Sequence, residues 1–282
     1  MPTSPTQRVH LLHPPYHNLT PIADEAVGWN TISVQPGSAL VWRIRKTAEG
    51  VAGRIASGRP GGVPLIVVLP PAPELIASPS TWAVVGRCRP QSVLPFHDDL
   101  AIRDLSRLLR RPPEDLGAAI TDYLAWRGIP LDADTIRIVR RMIELSSDLS
   151  SVTSLARCLY MSRRQLGRRF SSRGLPVPSH WLQLGRQIRL VIALQNSKKN
   201  LTSVACSLGF TDGYTASSQM YRLLGLRPTS VRSRLGWEWV VEHWLRREAE
   251  SGGLVPDTEF GSHGGTKQGE SYRRELTKAN TP

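Results

Sequence analysis

Few groupings in this 282-residue chain have side chains able to do chemistry. Cys88 lies between Arg87 and Arg89, and flanking cations lower a thiol's pKa and favour the nucleophilic thiolate. Asp98 and Asp99 are adjacent carboxylates of the kind that hold a hard divalent cation. An Asp just before a helical pattern is explained more cheaply as an N-cap. His10, His13 and His17 have metal-ligand chemistry, but they sit in a Pro- and His-rich stretch without period, and a floppy polar arm is the simpler reading. The densest grouping is cationic: Arg163, Arg164, Gln165, Arg168 and Arg169 offer five donor-rich side chains within seven residues. No catalytic residue, metal site or cofactor is expected from these patterns, and the chain reads as a binding protein rather than an enzyme.

The formal net charge is +13, and it is not spread evenly. Residues 150–248 hold 16 Lys/Arg against 4 Asp/Glu, net +12, while residues 1–149 are net +2 and residues 249–282 net −1. A positive field confined to one module of about a hundred residues favours a polyanionic partner, most often nucleic acid. A solubility surface or an anionic-lipid patch remains the alternative on charge alone. Cys88, Cys158 and Cys206 are odd in number and widely spaced, which fits a reducing cytoplasm and neither a disulfide scaffold nor a four-cysteine zinc site. No purely apolar run exceeds the five residues of Leu65–Leu69, a quarter of the roughly 20 residues a membrane span needs. The opening residues MPTSPTQRVHLLHPP lack the apolar stretch of a secretory signal. The expectation is a cytoplasmic protein with no membrane partner.

The elements that must position these groups fall into two halves. Residues 1–30 read as an N-terminal arm. Over 31–128, apolar runs alternate with amphipathic ones: ALVWRI (39–44), PLIVVL (64–69) and WAVVGR (82–87) read as strands, and 47–58, 98–111 and 113–128 as helices. The pattern implies a small α/β domain with a parallel sheet, able to regulate or to dimerise. From 132 only helices are expected, with 129–149 as a linker helix. A helical domain follows over 150–248, and a disordered polar tail over 249–282.

The basic block contains a repeat. Leu155-Ala156-x-x-Leu159-x-Met161-Ser162 recurs 49 residues later as Val204-Ala205-x-x-Leu208-Gly209-Phe210-Thr211. Each copy reads as a short helix, a tight turn and a capped second helix, which is a helix-turn-helix. The second helices are expected at Arg163–Arg173, capped by Ser162, and at about Gly213–Leu224, capped by Asp212. Both end at Gly-Leu, with Pro178 and Pro228 close behind. Between them, residues 178–197 place Trp181, Leu184, Ile188 and Val191 on one face of a single connecting helix. An ordinary helical bundle would explain one copy. Two copies with the same breakers in a +12 block favour a nucleic-acid-binding unit.

Residues 150–235 resemble the DNA-binding domain of the AraC/XylS family of transcription regulators. The resemblance is carried by Leu208-Gly209-Phe210-Thr211-Asp212, by Gly225 and Pro228-Thr229 with Arg232, by Ser162, Leu166, Arg168 and Phe170 in the first copy, and by Arg186 and Arg189 on the connecting helix. The family usually has an aromatic near Ala216, an Arg at Ser218 and a Phe at Met220, so the second copy departs from it there. The resemblance implies a sequence-specific regulator that inserts both second helices into successive major grooves of double-stranded DNA. It implies base contacts from Arg164 and Arg168 first, then Arg163 and Gln165, with Tyr214, Ser217 and Ser218 in the second copy. It implies phosphate contacts from Arg169, Lys198, Lys199, Arg222, Arg227 and Arg232. RNA polymerase is a further possible partner, and a homodimer through the N-terminal domain another. That N-terminal half is weakly similar to a receiver domain without its phosphorylation site: Pro70 and Pro71 stand where an Asp should follow PLIVVL, and Arg43, Arg45 and Lys46 replace an acidic pair. Two alternatives stay open, a degenerate helix-turn-helix module that binds protein, and a cysteine-dependent DNA-repair enzyme. Trp237, Trp239 and Trp244 are expected to pack a final helix on the domain or to form a partner surface.

Overall fold

The computed structural model describes residues 9–22, 29, 32–45, 50–96, 101–129, 131–149 and 151–255. The chain divides into two compact units, Met1–Arg111 with Ser233–Trp239, and 112–232 with 240–282. Among the described residues no helix is long and apolar enough to cross a membrane. Asp98 and Asp99, and the tail from 256 onward, lie outside the described residues.

In the first unit, β1 (Val9–Leu12), β2 (Leu19–Pro21), β3 (Ala39–Arg43), β4 (Leu65–Val68) and β5 (Ser92–Leu94) form one sheet in the order β2-β1-β3-β4-β5. The β3/β4 and β4/β5 pairings are parallel, and β1 runs antiparallel to both β2 and β3. The sheet is therefore mixed, where the sequence pattern implies a parallel one. The difference comes from the supposed arm: Val9–Leu12 and Leu19–Pro21 are strands of the sheet. His10 is half-buried within β1, and His13 is held by the Ser38 hydroxyl at 2.8 Å. Among the described residues no cluster of His, Cys, Asp and Glu is arranged to hold a metal ion.

Side chains alternate across a strand, and here both faces are covered. Leu40, Trp42, Leu65 and Val67 pack on α1 (Val51–Ser57), through Ala52, Ile55 and Ala56. On the same face lies α3 (Pro79–Arg87), contributing Val84 and Val85. Ala39, Val41, Ile66 and Val68 pack on Leu105 and Leu109 of α4 (Ile102–Arg110), and on Leu235. This two-sided burial is why β3 and β4 read as unbroken apolar runs. The segment expected as a strand at 82–87 is helical. It follows the short helix α2 (Pro73–Ala77), and Pro79 occupies its first turn, where a missing N–H costs nothing. Its buried positions Thr81, Val84, Val85 and Cys88 repeat at three and four residues.

One charged side chain organises this unit. Arg59 is 2% exposed. Its Nε donates to Val63 O at 2.7 Å and its Nη2 to Arg89 O at 3.0 Å. Its Nη1 donates to Ala56 O at 3.1 Å and Cys88 O at 2.5 Å. It thus serves the carbonyl ends of α1 and α3, which a helix cannot satisfy internally. Cys88 itself is buried, and burial pushes its thiol up, outweighing the nearby Arg59 and Arg87. The sequence expectation of a lowered thiol pKa is corrected by that burial.

The second unit is helical. α5 (Leu116–Trp126), assigned by pattern to the α/β half, belongs here, and so does α6 (Ala133–Leu145), which packs on α5 and is not a free linker. Next come α7 (Val152–Cys158), α8 (Arg163–Ser171), α9 (Pro178–Asn196), α10 (Leu201–Ser207), α11 (Gly213–Leu224), α12 (Pro228–Arg232) and α13 (Glu238–Glu250). The 19-residue α9 is the hub and touches α6, α7, α8, α10, α11 and α12. Trp181 on α9 stands edge-on to Phe170 and to Trp244 of α13, with ring centroids 6.2 and 4.6 Å apart. Trp237, Trp239 and Trp244 are all buried, so they offer no exposed partner surface. Leu254 is buried and the Val255 N–H bonds Gly174 O at 2.8 Å, so the ordered chain continues past 249.

Replacing Arg59 by Met keeps the buried stem and removes the donors. Stranding buried carbonyls in this way should cost about 2–4 kcal/mol, read as a lower midpoint in urea unfolding followed by a first-unit probe such as Trp42 fluorescence. A cost below about 1 kcal/mol would mean that water replaces the guanidinium.

Candidate nucleic-acid interface

The helix pair α7/α8 is joined by a tight C-terminal cap. Tyr160 adopts φ +53°, its N–H bonds Arg157 O at 3.0 Å, and the Met161 N–H bonds Ala156 O at 3.0 Å. These are the two bonds of a Schellman motif. Ser162 then starts α8 with a reciprocal box: its Oγ accepts from the Gln165 N–H at 3.1 Å, and Gln165 Oε1 accepts from the Ser162 N–H at 2.9 Å. Leu166 and Phe170 are buried one turn apart. That fixes the opposite face, on which Arg163, Arg164, Gln165 and Arg168 are exposed.

The pair α10/α11 repeats the same construction. Gly209 adopts φ +75°, its N–H bonds Cys206 O at 3.1 Å, and the Phe210 N–H bonds Ala205 O at 3.1 Å. Asp212 caps α11 by accepting from the Thr215 N–H at 2.6 Å, and that bond holds its carboxyl below the usual carboxylate range. A Cβ on Gly213 would lie 2.7 Å from Thr202 Oγ1, so α10 and α11 cross closely there. Gly213 is accordingly buried. Ala216, Met220, Leu223 and Leu224 fill the inner face. Tyr214 and Tyr221 are 82% and 58% exposed, Ser218 is exposed and Ser217 half-buried.

The cations sort into three groups. Arg163, Arg164 and Arg168 are exposed and make no ion pair among the described residues. Lys198, Lys199, Arg222 and Arg227 are exposed too, with the Arg227 guanidinium 6.0 Å from the Tyr221 ring centroid. The second group is tied to carboxylates. Arg169 lies 3.3 Å from Asp132 and 3.1 Å from Asp134, and Arg173 lies 2.6 Å from Asp132. The third is tied to carbonyls. Arg186 donates to Leu208 O at 3.4 Å and Gly209 O at 2.7 Å, with its guanidinium 4.3 Å from the Phe210 ring centroid. Arg189 donates to Ile143 O at 3.2 Å and Glu144 O at 3.5 Å. Arg232 donates to Leu194 O at 3.4 Å, to Ser197 O at 2.9 Å and to Lys199 O.

Two residues expected at phosphates, Arg169 and Arg232, are therefore committed inside the fold. Gln165 keeps its amide NH2 for an outside acceptor, since only its carbonyl serves the box. Tyr160 was not singled out by sequence, although the repeat aligns it with Gly209. It is 98% exposed, and it lines a shallow open depression together with Met161, Gln165, Arg168 and Arg173. The resulting surface can do two things chemically. Its free guanidinium groups can donate in pairs to base edges or phosphate oxygens, and its phenols and hydroxyls can bond phosphates or touch apolar base edges.

Residues 155–234 match the family model described as a helix-turn-helix domain, of the AraC type. No curated protein and no solved structure matches the chain significantly. The matched segment, from within α7 to just past α12, is thus similar to the DNA-binding helix-turn-helix domain of AraC-type transcription regulators. Asp132 is the link between that segment and α6. Bonds from Thr135 Oγ1 at 2.6 Å and the Thr135 N–H at 3.0 Å, with Arg173 beside them, hold its carboxyl well below the usual carboxylate range. A depressed folded-state pKa contributes stability that is full above the unfolded value and lost as pH falls towards the folded one. Asp132→Asn keeps an oxygen for the cap but no charge. Its Tm should lie below that of the unaltered chain at pH 7 and fall less steeply between about pH 5 and pH 2; parallel pH curves would remove Asp132 as the acid-sensitive link.

Proposed function

We propose that this protein is a sequence-specific transcription regulator whose α8 and α11 enter successive major grooves on one face of duplex DNA. The observation that carries the reading is the exposed face of α8, where Arg163, Arg164 and Arg168 have no partner among the described residues, inside a segment that matches an AraC-type helix-turn-helix domain. An unpaired cationic face on a helix held rigidly by its caps suits a major groove, which is wide enough for a helix. Arg164 and Arg168 are the base readers of this proposal, donating to guanine O6 and N7, with Arg163 and the amide of Gln165 beside them. Lys198, Lys199, Arg222 and Arg227 bind phosphates and set register. Arg169 and Arg232 act one step back, holding α8 and the α9–α10 connection in shape. The reading is one of binding and not of catalysis; its cysteine alternative suffers from the burial of Cys88. Dimerisation through the first unit and contact with RNA polymerase belong to the same proposal as further partners.

Mobility shift with promoter fragments, followed by selection of a preferred site, is the direct test. On that site Arg168→Ala should cost about 1–3 kcal/mol and relax the base preference at one position. Equal weakening on every duplex would reduce Arg168 to a phosphate contact. Lys198→Ala should lower affinity evenly across sequences and reduce the slope of log K against log salt by about one. If the unaltered chain binds no duplex at moderate salt, the proposal fails.

A further inference from the structure

We infer that Tyr160, in the turn between α7 and α8, is a DNA-contacting residue whose hydroxyl donates to a backbone phosphate beside the groove that α8 enters. The inference deepens the DNA-binding reading and rests on it.

It starts from a backbone outlier. Tyr160 sits at φ +53°, a left-handed conformation that costs an L side chain energy and costs glycine nothing. The chain itself shows the cheaper solution. Forty-nine residues on, Gly209 fills the same place in the same two-bond cap, at φ +75°. The folded state gives Tyr160 nothing in return. Its side chain is 98% exposed, and its backbone bond to Arg157 O would be kept by glycine. A strained conformation that brings no packing gain points to a role outside the fold.

The location indicates what that role is. Tyr160 lines the same depression as Arg168 and Gln165, and the exposed guanidinium groups of Arg163 and Arg164 belong to the same helix. A surface of this charge is complementary to a polyanion and opposed to another cationic or apolar face. A rigid turn just ahead of a groove-entering helix is placed over the strand backbone, where tyrosine hydroxyls serve as uncharged phosphate donors. The ring would then lie against the adjacent sugar, with the hydroxyl at a phosphate oxygen.

The test uses the full chain with three measurements: thermal unfolding, duplex affinity on preferred and unrelated sequences, and salt slope. Tyr160→Gly should raise Tm, because it removes the left-handed cost, and should weaken binding about tenfold on both sequences, the size of one bond to a charged acceptor. Tyr160→Phe should leave Tm unchanged and share most of the loss. The salt slope should not change in either variant, since no cation is removed. Wild-type affinity in Tyr160→Gly, or full affinity in Tyr160→Phe, overturns the inference. A fall in Tm with Tyr160→Gly also overturns it, because the residue would then be structural. Wild-type DNA affinity accompanied by loss of transcriptional activity would assign Tyr160 to a protein partner instead. No duplex binding by the unaltered chain sinks the DNA reading as well, whereas the variant outcomes sink this inference alone.

Discussion

A helix ends in carbonyls that nothing within it can satisfy, and in this protein arginines satisfy them. Arg59 serves the ends of α1 and α3, Arg189 that of α6, Arg186 that of α10, and Arg232 that of α9 with the loop beyond it. The guanidinium suits the task because it is planar, permanently charged and carries five donors, and because the carbonyl end of a helix is its negative pole. Each such contact ties the end of one element to a side chain rooted elsewhere in the same unit, so it fixes relative position as well as solvation. Without Arg186 and Arg232, α10 and the α9–α10 connection would have free ends, and the face of α11 would be poorly fixed relative to α9.

This use of arginine changes what the charge of the basic block means. Its net +12 overstates the field available to a partner. Arg186, Arg189 and Arg232 point their donors at the chain's own backbone, and Arg169 and Arg173 face Asp132 and Asp134. What is left for a polyanion lies on α8, around Lys198 and Lys199, at Arg222 and Arg227, and at the exposed Arg157, Arg246 and Arg247. The two helix pairs share one cap geometry and differ in surface chemistry. The exposed face of α8 is guanidinium and amide, and that of α11 is mainly phenol and hydroxyl, with Arg222 in its last turn. Charge-assisted paired donors discriminate bases more sharply than hydroxyls or ring edges do, so in the proposed function α8 reads sequence and α11 holds register.

Much of the helical half was legible because its signals are local. Ser162 and Asp212 are N-caps at the expected places, and the buried positions of α9 recur at helical spacing. The sheet was harder. Its edge strands β2 and β5 have three residues each, too few to display a period, and β1 lies in a Pro- and His-rich stretch whose composition suggests an arm. The misreading of 82–87 came from a window that began at Trp82. Starting at Pro79, the spacing of Thr81, Val84, Val85 and Cys88 is helical, but the adjacent pair of β-branched valines carries a strand signal of its own. Which arginines are free could not be read at all, because the carbonyls and carboxylates that occupy the others are brought to them only by folding.

The two turns show how a repeat preserves geometry while its chemistry drifts. Their backbone bonds coincide one for one, from Arg157 O and Ala156 O in the first to Cys206 O and Ala205 O in the second. That coincidence means the left-handed position is dictated by the cap and not by the residue occupying it. Glycine at 209 accepts the dictate without strain, and behind it Arg186 packs on Phe210 and on the turn's own carbonyls; a Cβ there would meet only that guanidinium, at an ordinary 3.6 Å, so the left-handed backbone and not a lack of space is what favours glycine. The first turn has no such clamp and opens to solvent. A tyrosine can therefore be tolerated at 160 for what it touches outside the fold, at a cost that the well-capped α8 and the buried pair Leu166 and Phe170 are able to carry.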